Sequence, residues 1–381
     1  MNGMMQRLRN FMFFIRAYGA ALVSHRVAPV TSQRILIVPA GKLGDVVCTT
    51  PVLRAVREHL PQARLYVRDY GGINSALLAD SGLVDEYIKA VTVRGYIAEL
   101  TRERIDTVLI TGPSLEDIAA ALIVGVPTIV APRVVGGYCP QQVRPYLALL
   151  RFVTEFPFAI HAYAPRERLR ALDSIGIKVS DTKKYLGYSE SALTVRADFL
   201  KKNNLRIGAY AIISPSAGNK IKSWPPERFA RVAEHVARKG MPVVVIGGQR
   251  DIDEVQAMLR ELKNSSLVVD ATDQFSLDEL KAVIAGAALF VSVDTGPLYI
   301  AEAFDVPTVD IVGPVDERVQ PPIGPRHAVV VPHRTKPMLS IMNARVYDHV
   351  EARRQVESTS VGEVCVAIDA LYASVVPSSH Q

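Results

Sequence analysis

Asp45 is the first acidic residue in the chain. It follows Gly41-Lys42-Leu43-Gly44, which in turn follows the apolar run Ile35-Leu36-Ile37-Val38. Gly41 and Gly44 permit a sharp turn and close approach of another group to the backbone. A lone carboxylate at the end of a buried strand reaches the edge of an α/β sheet where ligands bind. There it reads as a catalytic base. Lys42 beside it is either a contact for an anionic substrate or a solvated loop residue. A second constellation is the loop Ser216 to Trp224, with Lys220 and Lys222 near Gly218. These lysines either neutralise a phosphate and assist a leaving group or are ordinary surface lysines. A third is Ser292-Val293-Asp294-Thr295-Gly296-Pro297. A strand end, a glycine turn and a proline in the first helical turn leave free N–H groups at one spot. With the helix dipole they suit a pyrophosphate, with Thr295 adding a hydroxyl donor. The competing reading is a tight connection capped by Asp294. Trp224, the only tryptophan, reads as a packing residue that fixes its loop.

Each of these turns needs a strand before it and a helix after it, and the hydropathy pattern supplies them. Ile35–Val38, 64–68, 106–111 and 127–132 read as strands, alternating with helices over 73–79, 96–104 and 115–124. After Asp45, helical spacing runs through Val52, Val56 and Leu60, with Thr50 as N-cap and Pro51 in the first turn. The stretch 133–163 has no clear strand pattern and only one helical stretch, 145–152. A helix over 165–175 follows, and 178–191 reads as the domain junction. The second half repeats the alternation: strands at 210–214, 242–246, 267–270, 289–293 and 308–312, with helices at 225–239, 251–262, 277–285 and 297–304. Ser276 and Glu279 form a capping box. The pattern predicts two α/β domains in series, each a parallel sheet with helices on both faces.

Composition narrows the function. At 381 residues, with 49% hydrophobic residues and a net charge of +6, the chain has the composition of a soluble globular protein of two domains. No aromatic–basic nucleic-acid motif is visible, so a nucleic-acid partner is not expected. Cys48, Cys139 and Cys365 lie far apart and read as reduced, mostly buried thiols. The histidines show no zinc spacing, and no metal site is expected. Gly41-Lys42-Leu43-Gly44 is neither a P-loop nor a dinucleotide fingerprint, and no Gly-x-Ser-x-Gly elbow occurs.

The N-terminal segment is distinct. No Asp or Glu precedes Asp45, while Arg7, Arg9, Arg16, Arg26 and Arg34 do, interleaved with Leu8, Phe11 to Ile15 and Tyr18. The run is too short and too charged to span a bilayer, and Arg16 interrupts any signal-peptide core. Two readings stand open. One is a basic amphipathic helix on an anionic inner leaflet, with residues 1–30 making the contact. The other is a helix packed on the body, or a disordered arm.

Three stretches in order resemble glycosyltransferase family 9, the lipopolysaccharide heptosyltransferases. They are Ile35-Leu-Ile-Val with Leu43-Gly-Asp-Val and Thr50-Pro; Pro215-x-Ala-Gly with Lys222-Ser-Trp-Pro-Pro-Glu-Arg-Phe229; and Val291-Ser-Val-Asp-Thr-Gly-Pro297 with Pro307-Thr and Gly313-Pro314. The resemblance covers roughly residues 34 to 325. It implies an α/β GT-B fold, with two Rossmann-like domains whose parallel sheets face across a cleft. The implied domains are 1–33 as the basic segment, 34–185 for the acceptor and 186–381 for the donor, the last helix packing back on the first domain. The implied reaction is an inverting, metal-independent transfer from a nucleotide sugar, typically ADP-heptose, to a lipopolysaccharide-core or related glycolipid or glycan acceptor. No cofactor is expected. The implied location is cytoplasmic, with peripheral contact at the inner membrane face as the N-terminal alternative.

By the same resemblance, Asp45 is the general base and Lys222 lies near the donor phosphates. Asp294, Thr295 and Gly296 hold the donor, Phe275 packs on the adenine, Asp251 approaches the ribose and Ser216 contacts phosphate. Apart from the resemblance, Lys42 and Gly44 are expected to contact the acceptor because they adjoin Asp45 in the sequence. The sequence departs from the family at Tyr299, where a histidine is usual; tyrosine donates a hydrogen bond without a positive charge at neutral pH. The region 333–358 also lacks the cysteine-containing pattern of many relatives. Tyr299 keeps open a UDP- or GDP-sugar donor. A catalytically silent, glycosyltransferase-like interaction protein is the reading from another class.

Overall fold

The largely apolar runs at 35–38, 107–110, 211–214 and 289–293 are strands buried on both faces, as parallel sheets require. The computed structural model describes residues 2–23 and 32–375, with side chains described for 11–23 and 32–373. The chain divides into two units, Met1–Lys183 and Lys184–Gln381.

The first unit opens with helix α1 (Asn2–Val23), then β1 (Arg34–Val38), α2 (Leu43–Val47), α3 (Thr50–His59), β2 (Arg64–Arg68), α4 (Ile73–Leu78) and β3 (Glu86–Ile88). It continues with α5 (Val93–Arg102), β4 (Thr107–Ile110), α6 (Leu115–Val124), β5 (Thr128–Val135), α7 (Arg144–Leu150), β6 (Thr154–Ala159) and α8 (Ala164–Leu169). All six strands pair in parallel, in the order β3-β2-β1-β4-β5-β6.

The second unit runs α9 (Glu190–Lys202), β7 (Ala211–Ser214), α10 (Pro226–Arg238), β8 (Val243–Val245), α11 (Ile252–Arg260), β9 (Val268–Asp270), α12 (Leu277–Ala285) and β10 (Leu289–Val293). Then come α13 (Gly296–Ala303), β11 (Thr308–Ile311), β12 (His327–Val330), α14 (His349–Ser358) and α15 (Val361–Val375). Its parallel sheet has the order β12-β11-β10-β7-β8-β9. Counted from the first strand of each unit, both sheets follow one plan, 3-2-1-4-5-6, the doubly wound order whose ligand crevice lies where strand order reverses.

Several local expectations are corrected. The first helix after Asp45 is two helices, and the N-cap of α3 is Thr49, one residue before the expected Thr50; Pro51 sits in the first turn as expected. Strands β3, β6 and β12 and helices α9 and α14 fall outside the elements expected from the pattern. Strands β3, β6 and β12 all lie at sheet edges. An edge strand is not covered on both sides and tolerates polar residues and proline, as at Pro157 in β6. Val364, Ile368 and Leu371 of α15 join the second unit's core, with Val236 and Val330.

Helix α1 packs beside α6 and α7. Ala17 and Ala21 join the first unit's core, with Phe13, Phe14 and Tyr18 against it. Tyr18 meets Phe152 edge-on, with 5.2 Å between ring centroids. Of the N-terminal segment, Arg26 and the side chains of Arg7, Leu8 and Arg9 lie outside the described residues. Among the described residues, no helix is long and apolar enough to cross a membrane.

Candidate active site

Asp45 lies in the first turn of α2, just past the carboxyl end of β1. Its geometry depends on Gly41, whose φ of +75° is left-handed and disfavours any residue with a Cβ. A Cβ there would also lie 2.1 Å from Asp45 Oδ2. The bare backbone lets the carboxylate fold back, and the Lys42 N–H donates to Oδ2 at 2.9 Å. The other oxygen, Oδ1, accepts from Arg168 Nη2 at 2.8 Å. The Arg168 side chain is fully buried and that of Asp45 is 21% exposed. A carboxylate has about four acceptor positions, so two fixed donors orient it and leave about two free to accept. The Lys42 side chain is exposed, and Gly44 is buried within α2.

Arg168 is a site residue that the sequence reading missed. It sits on α8, which the Glu167 carboxylate ties to β6 by accepting from the Ala159 N–H at 2.8 Å. One signal was available. Ala164, Arg168, Ala171 and Leu172 share the buried face of this helical stretch, and an arginine there requires a partner. Its Nε and Nη1 atoms are buried without a hydrogen-bond partner among the described residues.

In the second unit, every proposed donor residue follows the carboxyl end of a strand. Ser216 and Lys222 follow β7, Asp251 follows β8, Phe275 follows β9, and Asp294, Thr295, Gly296 and Tyr299 follow β10. The two loop lysines separate cleanly. Lys222 Nζ donates to Asp294 Oδ2 at 2.6 Å and to the Asp294 carbonyl at 3.1 Å. Lys220, half exposed, instead pairs with Glu254 at 2.6 Å and Asp251 at 3.3 Å. Asp251 Oδ2 also accepts from the Gly248 N–H at 3.1 Å. Ser216 is buried. Trp224 is buried, donates from Nε1 to the Thr359 carbonyl at 3.1 Å and meets Phe229 edge-on. That is the packing role its loop requires.

Thr295 is the extended N-cap residue of α13, Gly296 opens the helix and Pro297 stands in its first turn. The Tyr299 hydroxyl donates to Asp294 Oδ1. Asp294 is thus held by a cation on one oxygen and a phenol on the other. Behind it, Asp310 on β11 pairs in register with Ser292. Burial, then the Asp294 charge, pushes the Asp310 carboxyl well above the usual carboxylate range, with Lys222 opposing. Its Oδ1 has no hydrogen-bond partner among the described residues. Burial there disfavours a second negative charge beside the Lys222–Asp294 pair. Phe275 is half-buried and packs edge-on against Phe199, 5.0 Å between centroids. Among the described residues, no group of three or more His, Cys, Asp or Glu side chains could hold a metal ion.

The fold and sequence of this chain have known relatives. The structure of a family 9 glycosyl transferase from Veillonella parvula superposes with a TM-score of 0.72 at 20% identity, covering 91% of this chain and 99% of that one. The E. coli heptosyltransferase WaaC with ADP-2-deoxy-2-fluoro heptose gives 0.64 at 19% identity, covering 88% and 99%. These likenesses define the class: the GT-B fold, built of two Rossmann-like units. Residues 160–345 match the family described as glycosyltransferase family 9 (heptosyltransferase). Lipopolysaccharide heptosyltransferase 1 of E. coli K12 is 25% identical over 302 residues, 74% of this chain and 89% of that protein. Over these stretches the chain is similar to glycosyltransferase family 9.

Proposed function

We propose that the chain transfers a heptosyl group from ADP-heptose, with inversion, to a hydroxyl of a lipopolysaccharide-core or related glycan acceptor. The observation that carries this reading is the carboxylate of Asp45, fixed on two sides and still open to solvent. The names of the relatives supply the sugar and nucleotide. Residues 34–185 serve the acceptor, with Lys42 and Gly44 near it, and residues 186–381 serve the donor. The proposed setting is the cytoplasm, where nucleotide sugars are available.

In the proposed step the acceptor oxygen attacks the anomeric carbon from the face opposite the nucleotide. The carbon–oxygen bond to the diphosphate breaks, and ADP leaves with the electron pair. Asp45 takes the hydroxyl proton as the new bond forms, a contribution of about 10²–10⁴-fold for a general base. Lys222 and the N–H groups at the start of α13 stabilise the charge gathering on the departing diphosphate. Ser216, Asp251, Phe275, Thr295 and Gly296 line the donor, and Asp294 with Tyr299 sets the position of Lys222. Arg168 acts through Asp45 as a positioning residue.

The test is nucleotide release from ADP-heptose, UDP-sugars and GDP-sugars with a core-oligosaccharide acceptor. ADP release that depends on acceptor and is lost in Asp45→Asn supports the proposal. Preference for a UDP- or GDP-sugar assigns a different donor, the alternative that Tyr299 favours. No release with any donor removes the transferase reading.

A further inference from the structure

Helix α1 has two apolar faces, and among the described residues the first unit covers only one. Phe13, Phe14, Ala17, Tyr18 and Ala21 face inward at helical spacing and pack on the first unit. The opposite face carries Phe11, Met12, Ile15 and Leu22, whose exposures are 58%, 61%, 49% and 63%. A helix apolar on all sides ordinarily lies in a core or against lipid. This one is held by its inner face, so the outer stripe is presented as a rigid surface.

The charge around the stripe identifies what it meets. Arg16 stands exposed on the same side of the helix. Helix α7, packed beside α1, begins with the exposed Arg144 and is followed by the exposed Arg151. Neither helix contains an acidic residue. The first 44 residues hold six Lys and Arg and no Asp or Glu. A second copy of the chain would bring arginine against arginine. An anionic bilayer offers acyl chains to the aromatic stripe and headgroup charge to the arginines.

We infer that the outer face of α1 docks the protein on an anionic lipid bilayer, with Phe11, Met12 and Ile15 seated among the acyl chains and Arg16 at the headgroups. The helix lies in the interface and does not span it. None of the residues of this surface is among those proposed for transfer, and its test does not depend on which sugar is moved.

The experiment is co-sedimentation of the full chain with vesicles of phosphatidylethanolamine and phosphatidylglycerol, against vesicles of phosphatidylcholine alone. Binding is expected to the anionic vesicles and to weaken as salt rises. In the Phe11→Ser/Met12→Ser/Ile15→Ser variant it falls by about tenfold or more. Arg16→Glu lowers it as well. As an independent readout, the Phe11→Trp variant gains fluorescence quenched by brominated acyl chains, above the constant contribution of the buried Trp224. Equal sedimentation of parent and triple variant, no binding by the parent, or no quenching of the added indole in Phe11→Trp overturns the inference. So does light scattering that finds a dimer dispersed by the triple substitution, since the stripe is then a contact between copies.

Discussion

Arg168 and Asp45 are 123 positions apart, yet the guanidinium Nη2 and the carboxylate Oδ1 meet at 2.8 Å, the arginine wholly buried and the aspartate partly open. Arg168→Gln removes this partner and lets the carboxylate swing about its one remaining fixed donor. Turnover is expected to fall about 10–100-fold, because misorientation of a base is costly even when it is present. The affinity for ADP, which we propose the second unit provides, is expected to stay within about twofold, and Arg168→Lys to recover part of the rate. Melting temperature does not track the loss, because a neutral residue also removes a buried charge with two unpartnered nitrogens. Calorimetric ADP titration beside steady-state rates separates these effects. A parallel loss of ADP binding would mean that Arg168 only supports the fold.

Gly41→Ala is expected to harm activity more than stability. The left-handed φ alone costs an alanine about 1–2 kcal/mol. The added methyl would also occupy the place of Asp45 Oδ2, so the carboxylate must move. Thermal melting and transfer rate, measured on one preparation, check the ratio; a rate near the parent's would show that the carboxylate position is not critical.

Lys222 and Lys220 lie two residues apart and should behave differently. Lys222→Ala leaves a nearly buried Asp294 without its cation, and donor affinity and turnover are expected to drop together by about tenfold or more. Lys220→Ala breaks a half-exposed pair and should cost under about 1 kcal/mol of stability, with little change in rate. Donor titration of both variants decides the matter, and equal effects would contradict the assignment.

His327 gives the fold a pH dependence. Burial, helped by Lys184 and Arg326 and opposed by Asp305, lowers its imidazole from an ordinary value of 6.5 to about 4. Below 6.5 the unfolded chain takes up a proton that the folded chain refuses until about pH 4. The unfolded state therefore binds more protons in that window, and stability falls as pH drops through it, by about 1–2 kcal/mol for a partly buried ring. Urea unfolding at about pH 7 and about pH 4.5 measures the slope. His327→Gln, which keeps a partner for the Thr308 hydroxyl now 2.9 Å away, should flatten it.

The parts of this protein that could be read from its sequence are those where burial is complete and the chain is local. Strands covered on both faces announce themselves as apolar runs, and the turns after β1, β7 and β10 carry glycine, lysine and aspartate at short spacing. The edge strands β3 and β6 are short or polar and gave no such pattern. Arg168 was hidden because its meaning depends on where β6 and α8 place it, although its inward position among alanines and leucine was a clue. Tyr299 stands out in the sequence as a departure from the family the chain resembles, but its bond to Asp294 emerges only in the folded turn. The Lys220 and Lys222 pair looked alike in one dimension. Only the positions of Asp251, Glu254 and Asp294 distinguish them.

The shared strand plan has a consequence for inheritance. Each sheet is completed by strands from one unbroken stretch of chain, and α15 stays with the stretch that precedes it. The segment bearing Lys222, Asp294 and Tyr299 therefore travels as one cassette. Among the described residues, a crossover near Lys183 and Lys184 cuts no strand ladder. Under the proposed roles, the half that would read the nucleotide is separable along the chain from the half that carries Asp45, so donor choice and acceptor choice can change independently.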